Sequence, residues 1–388
     1  MNHVASHLAG WHPPAGRIRV GFLSEWFVTH TIGRLYQGLM RHLDRDRFQV
    51  VLIHAHLAGR DAFSARLEAM VDEVLLLPPT LEAQQERVAA ARLEILFYPD
   101  IGMSQATTLL AYARLAPVQV VSWGHPDTTG LDSMDYFVSS TLIEPDDGEE
   151  AYSEGLIRLS RLPCCYPMPV TPMKAIQRRE LGLPGSGTLY GCPQTLFKFH
   201  PDFDGVLAEI ATGDPEGRIV LLEGNVSGWS ALLRARWAAT HPVLLERVIF
   251  LPHQSHERFL ALLACVDLLL DPVHFGSGNT FYEAMAFGTP CVTWPGRFMR
   301  GRIVAGAYRQ MGVADPPVVA RIQEYAPLAL ALGRDAKRRK ALQKALLQRS
   351  HTLFSDRQVV RELERFFVAA VEAAGRKEKL PGGWTPAS

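Results

Sequence analysis

The sequence predicts an α/β protein made of two doubly wound parallel-sheet units. Three observations predict it. Short runs of β-branched and apolar residues alternate with helical stretches from end to end. The alternation restarts near Leu189, after a stretch punctuated by Pro163, Pro167, Pro169, Pro172 and Pro184. Finally, 388 residues, 47% of them hydrophobic and 21% charged, exceed the needs of one core and suit two.

In the first half the patterns predict strands over Ile18–Leu23, Gln49–His54, Glu73–Leu77, Ile95–Tyr98, Val118–Ser122 and Tyr136–Val138. Helical periodicity lies between them in Ile32–Leu43, Ala62–Val71 and Leu81–Ala91. The second series predicts strands over Leu189–Cys192, Ile219–Glu223, Val248–Leu251, Leu268–Leu270 and Cys291–Trp294. Its helices are Phe203–Ala211, Ser230–Ala239, His256–Val266 and Thr280–Phe287. A long amphipathic helix, Asp356–Ala374, closes the pattern. The expected divisions are residues 1–16 as a tail, 17–165 and 180–350 as the two units, and 351–388 as a C-terminal helix and tail.

Composition excludes several classes. Forty basic and forty acidic residues cancel, so no global field favours nucleic acid or anionic membrane. The stretch Lys337-Arg338-Arg339-Lys340 reads as a solvated helix face. No apolar run reaches the ~18 residues of a membrane span, and the N-terminus lacks a signal-peptide layout. Five cysteines without Cys-x-x-Cys spacing suggest reduced thiols and a cytoplasmic setting. No repeat of about 34 residues is present.

The richest motif runs His274-Phe-Gly-Ser-Gly-Asn-Thr-Phe-Tyr-Glu-Ala-Met-Ala-Phe-Gly-Thr-Pro290. Gly276 and Gly278 permit close backbone approach to a ligand, and a helix opens at Asn279 or Thr280. With Ser277, that helix start suits a pyrophosphate. Glu283, one turn on, can accept from ribose hydroxyls or simply complement the helix dipole. A second motif is Gln194-Thr195-Leu196-Phe197-Lys198. Lysine is rare between Met1 and Lys337, occurring only at Lys174 and Lys198. An ammonium directly after a strand suits a leaving diphosphate, whereas a surface lysine would snorkel over the helix start. In the next loop, His253, Gln254, His256 and Phe259 are candidates to hold a base and ribose, with Ser255 capping the helix after them.

Asp202-Phe203-Asp204 has Asp-x-Asp spacing but opens a helix after His200-Pro201, so capping is expected there and no metal site. In the first half, His30 follows the first strand and suits a general base, or a structural role. Asp100 leaves a neighbouring strand as a rival base or orienting group. His125, Asp127 and Thr128 lie in a glycine-bounded loop that either contacts sugar or acceptor or makes a tight turn.

From about Ile18 to Gly312 the chain resembles the catalytic region of the O-GlcNAc transferases, glycosyltransferase family 41, including bacterial members and plant O-fucosyltransferase relatives. The likeness is carried by Ala116-Pro-Val-Gln-Val through Gly130 and Met134-Asp-Tyr, by Gln194–Pro201, and by Arg247–Gly296. It implies a GT-B fold, two Rossmann-like domains facing across a cleft, and inverting transfer without metal or other cofactor. It assigns Lys198 to the diphosphate, Asn279 and Thr280 to phosphate, Glu283 and His256 to ribose, Phe259 to uracil, and His30 to the proposed base. The family's Asn-Gln-Leu-Tyr-Lys reads Gln-Thr-Leu-Phe-Lys here, its His-Thr-Thr reads Gly278-Asn279-Thr280, and its helical repeats have no counterpart in this sequence.

The expected function is therefore transfer of GlcNAc or another hexose from a UDP-sugar to an acceptor hydroxyl on a protein or glycan. The alternatives are a small-molecule acceptor, a nucleotide-sugar epimerase of similar build, and a non-catalytic UDP-sugar-binding module.

Overall fold

The computed structural model describes residues 4–55, 59–170, 176–224, 226 and 228–386; Pro172 and Lys174, which figured in the sequence reading, lie outside them. The chain divides into two compact units. One joins the chain up to Pro167 with everything from Ser355 onward, and the other runs Met168–Phe354.

The first unit carries a seven-stranded parallel sheet of β1 (Ile18–Ser24), β2 (Phe48–His54), β3 (Glu73–Leu76), β4 (Ile95–Tyr98), β5 (Val118–Ser122), β6 (Tyr136–Ser140) and β7 (Gly155–Leu159). The spatial order is β3-β2-β1-β4-β5-β6-β7. Most of these strand residues are buried, which is why they read as continuous apolar runs rather than alternating ones. β7 was not anticipated. It pairs with β6 along its whole length, from Tyr136↔Gly155 to Ser140↔Leu159.

The helix Gln358–Gly375, which the sequence placed in a separate terminal segment, belongs to this unit. Its buried Phe367 packs edge-on against Phe48 and Phe97, each with ring centroids 6.2 Å apart. Its Glu362 accepts from Ser160 N at 2.8 Å, and Glu364 from Asp44 N at 2.8 Å. The helix Gln358–Gly375 therefore forms part of the first unit's core rather than a separate segment.

The second unit has a five-stranded parallel sheet of β8 (Leu189–Gly191), β9 (Arg218–Leu222), β10 (Val248–Leu251), β11 (Leu268–Leu270) and β12 (Cys291–Val292), ordered β10-β9-β8-β11-β12. Helices Ile303–Met311, Tyr325–Arg334 and Ala336–Arg349 follow, none of them assigned from the sequence apart from the basic face near Lys337. In both sheets the first strand lies between the second and the fourth. The connections reverse direction there, leaving a crevice at the carboxyl ends of the adjoining strands. Asp100 follows β4 beside β1, and Lys198 and the glycine loop follow β8 and β11, so these residues lie at the two crossover points, β1/β4 and β8/β11. Among the described residues no helix is long and apolar enough to cross a membrane.

Candidate active site

In the second unit, Lys198 ends a short turn, Leu196–Lys198, after β8. Its Nζ donates to Gln194 Oε1 at 3.0 Å and to the Gly276 carbonyl, beyond β11, at 2.8 Å. The ammonium also lies 4.3 Å from the Phe275 ring centroid. Part of the side chain reaches the surface, but this enclosure of its charged end lowers the pKa to about 8, against the pull of Asp271 and Cys192. Gln194 is buried, and because its Oε1 is committed to Lys198, its Nε2 points elsewhere without a hydrogen-bond partner. A buried donor left over beside an ammonium suits an anion.

Asp271, not singled out from the sequence, shapes the glycine loop. It accepts from Ser277 N at 2.6 Å and from Thr293 Oγ1 at 2.7 Å. Burial raises its pKa to about 6 despite those bonds. Gly276 is required by contact: a Cβ there would stand 2.7 Å from Asp271 Oδ2. Gly278 caps the helix Asn279–Met285, so Asn279 and Thr280 open it, half-buried, as the motif implied.

Glu283 is buried in that helix, and its Oε1 meets His256 Nε2 at 2.8 Å. Two residues expected on a ribose are thus brought together across 27 positions of chain. His256 opens the helix His256–Cys265, whose cap Ser255 accepts from Arg258 N at 3.4 Å. Gln254 is engaged locally, donating to Pro252 O at 2.7 Å and accepting from Arg258 Nε at 2.8 Å. His253 and Thr195 are exposed, and Phe259 is half-buried.

The Asp-x-Asp segment differs from expectation. His200, rather than either aspartate, caps the helix Pro201–Gly213, its Nδ1 accepting from Asp202 N at 3.2 Å. Asp204 is buried and held by Arg236 Nε and Nη2 at 2.7 and 2.9 Å. Asp202 instead pairs with His274 at 2.8 Å. Capping rules look only a few residues along the chain and could not see either partner.

In the first unit, Asp100 is fully buried at the β1/β4 crossover and accepts from Ser24 Oγ at 2.6 Å. Burial, reinforced by Glu25, raises its pKa to about 7 although the Ser24 hydrogen bond opposes the shift. Asp100 Oδ1, Trp26 Nε1 and Trp123 Nε1 are buried without hydrogen-bond partners. The His125 ring lies against Gly102, where a Cβ would come within 2.7 Å of it. The loops after β4 and β5 therefore meet. Tyr36 fastens them, its hydroxyl donating to Pro99 O at 3.4 Å and accepting from Gly124 N at 3.0 Å. Asp127 is half-buried in the same loop, while Thr128 Oγ1 donates to Glu154 at 2.7 Å, 26 residues along the chain.

His30 caps the helix Thr31–His42, with Nδ1 accepting from Ile32 N at 3.3 Å and the ring 4.6 Å from Trp26. Burial first, then Arg34, lowers its pKa to about 4. The capping bond holds the neutral ring with its proton on Nε2, so His30 is set to donate from that nitrogen rather than to accept.

Against known proteins, the model of the family described as glycosyl transferase family 41 matches residues 4–163 and 168–363. A probable UDP-N-acetylglucosamine–peptide N-acetylglucosaminyltransferase, SEC of Arabidopsis thaliana, is 23% identical over 90% of this chain and 37% of its own. A UDP-glucose:protein N-β-glucosyltransferase from Actinobacillus pleuropneumoniae is 25% identical over 67% of this chain and 42% of its own. Among solved structures, a mutant of the Thermobaculum terrenum O-GlcNAc transferase superposes with a TM-score of 0.83 at 26% identity, covering 95% of this chain and 71% of that one. The chain spans little more than a third of the length of the plant relative.

Proposed function

Because this chain belongs to glycosyl transferase family 41, we propose that it transfers a hexose, GlcNAc or glucose, from a UDP-sugar to an acceptor group on a protein or glycan, with inversion. The acceptor hydroxyl forms its bond to the anomeric carbon as the bond to the diphosphate oxygen breaks, and its proton passes to a base or water. In the second unit, Lys198 and the spare Gln194 amide take up the charge growing on the departing UDP, without a metal there. Glu283 and His256 receive the ribose. In the first unit, Asp100 is the stronger candidate for the proton, since His30 Nε2 already carries one. The relatives' printed substrates, peptides and proteins, support a protein acceptor, and the free cysteines support a reducing, cytoplasmic setting.

One observation carries this reading: a buried ammonium and an unsatisfied amide share a crossover crevice. Removing Lys198 should cost about 2.7–4 kcal/mol in the chemical step, as loss of other preorganised charge stabilisers does. UDP release from UDP-GlcNAc and UDP-glucose, with peptide and saccharide acceptors, measures it. Lys198→Ala turning over within a few-fold of the parent would refute the assignment. UDP binding without turnover on any acceptor would leave a binding module.

A further inference from the structure

The two segments that enclose Lys198 carry a second cluster. His200 lies two residues past Lys198, and His274 two residues before Gly276. Both face one carboxylate oxygen, Asp202 Oδ2, His274 Nε2 at 2.8 Å and His200 Nδ1 at 3.4 Å. All three donor atoms fall within 4.8 Å of one another. The imidazoles meet edge to face at 4.7 Å, and Trp294 backs His274 at 5.8 Å.

Hydrogen bonding specifies what this cluster lacks. His200 Nδ1 accepts the Asp202 backbone N–H, so in the neutral ring the nitrogen nearest Asp202 bears a lone pair. The carboxylate oxygen opposite is also an acceptor. Two acceptors in that position repel unless a positive centre lies between them. Protonation of His200 at Nδ1 would relieve the repulsion but forfeit the helix-capping bond. A cation bound at Nδ1 gives up the same capping bond, but it gains the Asp202 carboxylate and, in its Nδ1–H tautomer, His274 Nε2 as further ligands.

We propose that His200, Asp202 and His274 bind one divalent transition-metal ion of the zinc type. Two imidazole nitrogens and a carboxylate oxygen are borderline donors suited to zinc, cobalt or nickel, and they leave coordination positions open to water. Magnesium, which demands near-octahedral oxygen donors, is disfavoured. Asp204 contributes nothing, because Arg236 holds both of its oxygens. The ion joins the start of the helix Pro201–Gly213 to the loop after β11, segments 72 residues apart. It therefore fastens the two strands of chain between which Lys198 is gripped, without entering the transfer step.

The test uses the full chain, stripped with a chelator and dialysed, then titrated with ZnCl2 by calorimetry. One equivalent should bind, and the thermal midpoint should rise with zinc concentration. His274→Ala and Asp202→Asn should each weaken zinc roughly tenfold or more and abolish the thermal shift, while His241→Ala binds as the parent does. Cobalt should give a visible absorption band that zinc displaces, and MgCl2 no heat. Melting in chelator checks that each variant folds; Asp202→Asn leaves the left-handed backbone at His274 (φ 69°) untouched. Absence of saturable zinc binding to the parent, or zinc binding undiminished in Asp202→Asn, overturns the proposal. Neither result depends on whether UDP binds.

Discussion

Replacing Asp100 by asparagine separates the cost of keeping a carboxyl at the β1/β4 crossover from its use. The unfolded chain ionises this group near 3.8 and the folded chain near 7, so the native state holds a proton that the unfolded state has lost. With more protons bound when folded, stability must fall as pH rises through that window. Below the unfolded value there is no contribution; above the folded one the full penalty applies, about 4 kcal/mol from the size of the shift. Between pH 5 and pH 8 the parent should lose about 2–3 kcal/mol from this group alone. Asparagine mimics the protonated acid at every pH, with its carbonyl accepting from Ser24, and should not lose it. Urea denaturation across that range, with hydrogen exchange of the β4 amides reporting the first unit specifically, measures the difference. Asp100→Asn should be the more stable protein at pH 8 and the less active one. Parallel pH profiles for parent and variant would refute the desolvation argument.

Three further predictions follow from the same geometry. His30, held neutral with a folded pKa of about 4, should contribute no inflection to kcat/KM between pH 5.5 and 8. A step near pH 6.5 that vanishes in His30→Ala would contradict the capped-tautomer assignment. Glu283→Ala, which removes a buried acceptor and its contact with His256, should weaken UDP by about 1.5–3 kcal/mol in calorimetry. Unchanged UDP affinity would remove Glu283 from the site. Gly38→Ala should destabilise the first unit by about 1–3 kcal/mol or prevent folding, because the new Cβ would stand 1.9 Å from the Cys165 carbonyl oxygen. Thermal melting at the parent's midpoint would show that the helix Thr31–His42 can shift freely.

What the sequence revealed depended on how far apart the deciding residues lie. Buried parallel strands are self-announcing, since both faces are apolar, and β1 to β6 and β8 to β12 were readable within a residue or two. β7 escaped because Gly155-Leu-Ile-Arg-Leu159 is short and mixes a glycine and an arginine into the pattern. The helix Tyr325–Arg334 escaped because Pro327 sits near its start and apolar residues continue around it, which hides the usual periodicity. The place of Glu283 one turn into its helix was legible from the glycines and polar residues just before it. The partners of Lys198 and Asp202 were not, because Gly276 and His274 are 78 and 72 residues away and are brought in only by the β8/β11 crossover.

That crossover also explains why the two sheets bear groups of opposite charge under the same stress. Each sheet places a titratable group where the connections diverge, enclosed by its neighbours. Desolvation disfavours whichever form is charged. It therefore pushes the Asp100 carboxyl up to about 7 and the Lys198 ammonium down to about 8. Both end within about a unit of neutral pH, one from below and one from above. A carboxyl so placed can take a proton, and an ammonium so placed gains most from the arrival of a dianion, whose charge restores what burial removed. One topological feature, used twice, thus holds side chains of opposite sign near neutrality.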